Sequence, residues 1–129
     1  MMPIEYHIDH GRRIVLASAS GKLTAEDFFN YKRDAWSLPD VRGFNELVDA
    51  SKLEEISSLT IEKISELAKL SAKMDDNTIS TKLAIVTSDT FLHGMGGLYE
   101  VFRNENPMST KKVSVFRSMQ EAIDWIEEK

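Results

Sequence analysis

The chain contains no cysteine, which excludes disulfide bridges, thiol nucleophiles and zinc–thiolate centres. It also lacks a long apolar run. Leu83-Ala84-Ile85-Val86 is typical of the longest, far short of the roughly 20 residues a membrane helix needs. A surplus of positive charge is missing as well: 16 Lys and Arg stand against 21 Asp and Glu, a net charge of −5. That balance opposes binding driven by phosphate neutralisation, so no nucleic-acid partner is expected. The basic residues come only as scattered pairs, Arg12-Arg13, Lys32-Arg33 and Lys111-Lys112, which read as solvated surface. Met1-Met2-Pro3-Ile4-Glu5 has no basic start followed by an apolar block, so no secretion leader is expected and the chain reads as cytoplasmic.

Catalytic signatures are equally absent. There is no G-x-S-x-G elbow for the Ser88, Asp89, Thr90 and His93 group. Gly94-Met95-Gly96-Gly97 lacks the spacing and the lysine of a phosphate-binding loop, and it falls inside a helical register. Glycine there costs up to about 1 kcal/mol relative to alanine, so close packing is the preferred explanation. His7, Asp9 and His10 do not follow a zinc spacing and read as a solvated hairpin. Glu54-Glu55 and Asp75-Asp76 are adjacent acids flanking helices and read as solvated. Neither catalysis nor a cofactor is expected.

What is present is a clear order of periodic segments. At 129 residues, 42% hydrophobic and 29% charged, the chain reads as one soluble domain over residues 1–129. Ile4, Tyr6 and Ile8 alternate with polar residues, as a half-buried strand does. His10-Gly11 then marks a tight hairpin, and Arg13 to Ser18 is its return strand, closed by Gly21 and Lys22. Thr24 and Asp27 form an approximate capping box for a helix with Ala25, Phe28, Phe29, Lys32, Ala35 and Trp36 on one face. Pro39 ends it.

A short strand around Leu47 and Val48 follows, then a polar turn and a second helix with Ile61, Ile64, Leu67, Ala68, Leu70, Ser71 and Met74 inward. Lys82 to Thr87 shows no alternation, the mark of a strand buried on both faces. A third helix carries Leu92, Met95, Tyr99 and Phe102 and ends at Asn106-Pro107. Val113, Val115 and Phe116 form the last strand, and Ser118 with Glu121 caps a final helix. The order ββαβαβαβα predicts an α/β fold: a five-stranded, mixed but mainly parallel sheet flanked by four helices.

The most informative stretch is Phe44 to Ser51 with Leu53, Ile56 and Ser57-Ser58 leading into the second helix. A strand feeding a helix start presents backbone N–H groups without intrahelical partners, where an anion or a partner can dock. This segment, the Gly21-Lys22-Leu23-Thr24 approach, Leu83 to Val86 and the closing Val115-Phe116-Arg117 with Ala122-Ile123 and Trp125 resemble STAS-type domains. More specifically, the chain resembles bacterial proteins described as similar to the sporulation anti-anti-sigma factor. In those factors an Asp-Ser-Ser-Gly stretch at the helix start holds a phosphorylatable serine and contacts an anti-sigma kinase. The matching region here is Ile56-Ser57-Ser58-Leu59-Thr60, without the aspartate and the glycine.

The resemblance implies a non-catalytic regulatory or protein-interaction module, with an anti-sigma-type regulator or a second copy of the chain as partner. Its docking surface and phosphosite candidates are Asp49, Ser51, Ser57, Ser58 and Thr60. The sheet-and-helix order also resembles CRAL-TRIO lipid-binding domains. That resemblance supplies the runner-up: an apolar ligand held by Phe28, Trp36, Leu92, Met95, Tyr99 and Phe102.

Overall fold

The computed structural model describes residues 4–128; Met1-Met2-Pro3, the first part of the Met1 to Glu5 segment on which the leader expectation rests, and Lys129 lie outside them. Among the described residues the order is β1 (Ile4–Asp9), β2 (Ile14–Thr24), α1 (Ala25–Trp36), β3 (Asn45–Ser57), α2 (Ile61–Met74), β4 (Thr81–Val86), α3 (Thr90–Glu105), β5 (Lys111–Phe116) and α4 (Met119–Glu127). This is the expected order. The strands form one sheet in the order β1-β2-β3-β4-β5. β1 runs antiparallel to β2, and every later pairing is parallel.

Each parallel step moves in the same direction across the sheet. Right-handed crossovers taken in one direction place their helices on one face, which accounts for α1, α2 and α3 lying together. Val48, Ala50, Leu83 and Val113 point to that face and share a core with Tyr31, Ala35 and Leu92. Leu47, Ala84 and Val86 point the other way and pack on Ala122 and Ile126 of α4. Both faces of the central strands are therefore covered, as the unbroken apolar runs require.

Local chemistry ends the elements where the sequence signals it, with informative exceptions. Thr24 and Asp27 make a full reciprocal capping box, and Ser118 accepts from the Glu121 amide at the start of α4. In the first hairpin it is Arg13, and not Gly11, that takes positive φ, 56°. β2 does not close at Gly21 and Lys22. It passes them with a register shift and pairs with β3 as far as Thr24 opposite Ser57. β3 likewise replaces the expected turn after Ser51, because its residues keep a partner in the lengthened β2. Ile61, expected inward, is 60% exposed in the first turn of α2. Gly96 does serve close packing: a Cβ there would stand 3.1 Å from Val115 Cγ2, so α3 lies against β5. Gly94 and Gly97 meet nothing within 4 Å.

Candidate functional site

The parallel strands begin at one end of the sheet, and α1 returns to that end. Glu46 near the start of β3, Lys111 at the start of β5, and Tyr31, Lys32 and Trp36 from the last turns of α1 meet there. Glu46 Oε2 accepts from the Tyr31 hydroxyl at 2.6 Å and from Trp36 Nε1 at 3.0 Å. Oε1 accepts from Lys111 Nζ at 3.2 Å, with Lys32 Nζ 3.6 Å away. Lys111 Nζ also sits 3.3 Å from the centroid of the Trp36 ring. The three charged side chains are 2%, 3% and 5% exposed for Glu46, Lys111 and Lys32.

Two basic residues read as solvated surface are thus interior. Lys32 does lie on the inward helical face, and a carboxylate waits for it there. Trp36, read as a pocket residue, is committed to Glu46 and lies at a polar groove lined also by Arg42, Lys73 and Asp76.

A second buried pair adjoins the first. Arg103, fully buried in α3, donates through Nη2 to Asp75 Oδ1 and Oδ2 at 2.9 and 2.6 Å, and through Nη1 to Tyr99 Oη at 2.7 Å. Tyr99 Oη donates to Ser71 Oγ at 2.9 Å, and Asp75 also accepts from the Thr110 amide and the Ser109 hydroxyl. Asp75, expected at the surface beside Asp76, instead fastens the end of α2 to α3 and to the approach to β5. Arg103 demands a carboxylate partner once buried.

These contacts set the protonation states. Burial works against ionising Glu46, but the Lys32 and Lys111 ammoniums and the Tyr31 hydroxyl outweigh it and hold its carboxyl at about 2. Burial dominates at Lys111 and brings its amine down to about 7 despite the neighbouring carboxylate. Burial, followed by the charge of Glu46, pushes the Tyr31 phenol well above its usual range.

Between the sheet and α1–α3 lies a cavity of about 130 Å³. Its walls are Phe28, Val48, Leu53, Ile56, Ile64, Leu67, Ile85, Leu92 and Met95, and exposed Lys63 with Leu59 lies at its outer end. Tyr31, Lys32, Glu46, Ser71 and Tyr99 form its polar inner end. Four residues assigned to an apolar pocket from sequence, Phe28, Leu92, Met95 and Tyr99, stand together here. Trp36 and Phe102 are not among the lining residues. The β3 residues Leu53 and Ile56 escaped sequence reasoning because that stretch read as a turn. Apart from Tyr99, the polar end escaped it, because Tyr31, Lys32, Glu46 and Ser71 come from three separate elements.

The residues assigned to a docking surface are divided. Asp49 accepts from the Ser51 amide and borders a groove on the α4 face with Leu47 and Ile123. Ser57 Oγ donates to the Leu23 carbonyl at 3.4 Å, while Ser58 is exposed with a φ of 62°. Neither serine caps α2; Thr60 does, accepting from the Lys63 amide at 3.1 Å. Asp89 caps α3, accepting from the Leu92 amide at 2.9 Å. His10 stands 3.6 Å from Asp40, and no cluster of three or more metal-ligating side chains occurs among the described residues. Among the same residues, no helix is long and apolar enough to cross a membrane.

No family model matches the chain, and no curated protein matches it. Among solved structures it is similar to an uncharacterised protein of the DUF3478 family with a SpoIIAA-like fold, from Shewanella loihica PV-4. The identity is 18%, the alignment covers 98% of this chain and 95% of the other, and the TM-score is 0.62. The chain thus has a SpoIIAA-like, STAS-type fold.

Proposed function

We propose that this domain is a non-catalytic binding module whose ligand is a small, largely apolar molecule held between the sheet and α1–α3. The observation that supports this most is the cavity itself: apolar walls reach from exposed Lys63 to a few converging polar groups at the inner end. Concave, mostly apolar sites with sparse polar groups are the usual form of small-molecule sites. Glu46 at the polar end is held in structural pairs and is no free base, and no nucleophile stands beside a free base among the described residues, which favours binding over turnover. This reverses the order of preference drawn from sequence, where the protein-docking role came first. Native mass spectrometry of the purified protein, with thermal denaturation in the presence of small apolar probes, tests the reading. A co-purified small molecule, or a rise in Tm that saturates with probe, is the expected result; an empty protein indifferent to every probe overturns it.

A second reading keeps a protein partner at the start of α2. It is favoured by Ile61 and Phe91, 60% and 64% exposed in the first turns of α2 and α3, which begin at the same end of the parallel strands. Ile61→Glu with Phe91→Glu should then abolish capture of a partner from the native host while leaving Tm and probe binding unchanged. Retained capture would discard this surface.

A further inference from the structure

The polar inner end of the cavity is rich in donors and poor in free acceptors. Both Glu46 oxygens are occupied, Oε2 by Tyr31 and Trp36, Oε1 by Lys111. Lys32 Nζ, on a side chain 5% exposed, is ion-paired with Oε1 at 3.6 Å and lies 4.8 Å from the centroid of the Trp36 ring, and it makes no hydrogen bond shorter than that ion pair among the described residues. Ser71, fully buried on the same wall, accepts from Tyr99 and keeps its own hydroxyl hydrogen uncommitted. Two lysines also share one carboxylate, so below the Lys111 pKa of about 7 positive charge locally exceeds negative charge. A buried ammonium with spare N–H donors is stabilised by an acceptor that carries charge.

Resting on the small-molecule reading above, we infer that the ligand is an apolar monocarboxylate, its head group held by Lys32 Nζ and the Ser71 hydroxyl and its tail by Phe28, Leu67, Leu92 and Met95. Size limits the tail. An apolar cavity of about 150 Å³ holds a benzene molecule, so about 130 Å³ suits a single ring or a chain of roughly six carbons.

Two matched probe sets separate the head group from the tail: hexanoate, hexan-1-ol and hexylamine, and phenylacetate, 2-phenylethanol and 2-phenylethylamine. NMR titration of the whole protein carrying methyl-labelled methionine reports through Met95, which lines the cavity. The carboxylates should bind about tenfold or more tightly than the alcohols, as a charge-assisted hydrogen bond implies, with the amines weakest. Lys32→Met should abolish the difference between acid and alcohol while alcohol binding persists. Lys111, Tyr31 and Trp36 still hold Glu46 in that variant. Should Lys32→Met fail to fold, Ser71→Ala should narrow the difference several-fold.

If no probe shifts Met95, the small-molecule reading itself falls. If acids and alcohols bind the parent equally, or the difference survives in a folded Lys32→Met protein, the cavity reading stands and the carboxylate inference is overturned.

Discussion

Glu46 is a buried charge that the fold must answer from several sides. Its carboxylate answers two ammoniums, a phenol and an indole with negligible contact to water. Removing one partner of a buried pair leaves uncompensated charge, so Glu46→Gln should cost about 3–5 kcal/mol by urea denaturation at neutral pH. Lys111→Met should cost less, since Glu46 keeps Lys32 and both neutral donors.

The two substitutions also separate by pH. With its folded pKa at about 2 against an ordinary 4.5, Glu46 contributes stability above pH 4.5 that is lost as the pH falls toward 2. Glu46→Gln should flatten that acid limb. Lys111, lowered from 10.5 to about 7, binds its proton less readily folded than unfolded. Between those values the unfolded state holds more protons, so this residue makes stability rise with pH from about 7 to 10.5. Lys111→Met should remove that rise in denaturation midpoints taken at stepped pH.

At the scale of the element, α2 and α3 show which residues shape a helix and which merely sit beside one. Thr60 caps α2, so Thr60→Ala should cost about 1 kcal/mol. Ser57→Ala should lie within about 0.5 kcal/mol of the parent, because that side chain caps nothing. Ser58→Gly should stabilise the protein, since glycine accepts a φ of 62° without the penalty serine meets. In α3, Gly94→Ala and Gly97→Ala meet open space and should each add about 0.5–1 kcal/mol. Gly96→Leu would drive a branched side chain into Val115 and should lower stability. Chemical denaturation of the single variants checks each sign, and equal effects at the three glycines would contradict the packing of α3 on β5.

For the molecule as a whole, the decisive property is that the strand order never reverses. Doubly wound sheets place ligands in the crevice where the order switches direction. This sheet offers no such crevice, and three crossover helices crowd one face. The apolar cavity lies instead between layers, walled by the sheet and by α1, α2 and α3. A bound apolar carboxylate should slow hydrogen exchange in α2 and α3 while leaving α4 unchanged. Equal protection of α4 would indicate a global effect or a site on the opposite face.

Sequence by itself determined the order of elements, because hydrophobic period and capping are local signals. Thr24 with Asp27, the unbroken Leu83 to Val86 and Ser118 before the last helix each act within a few residues. It also brought together Phe28, Leu92, Met95 and Tyr99, since helical spacing alone puts them on inward faces. Tertiary structure decided which charges are buried. Lys111 meets Glu46 across 65 positions of chain, and Arg103 meets Asp75 across 28. Whether a lysine belongs in the interior depends on a partner that only the parallel register supplies, so a basic pair read alone points to solvent. The long β3 was settled in the same way. Lys52 to Ser57 are polar enough to form a turn, yet the sheet keeps them extended because β2 continues alongside with open hydrogen-bonding groups.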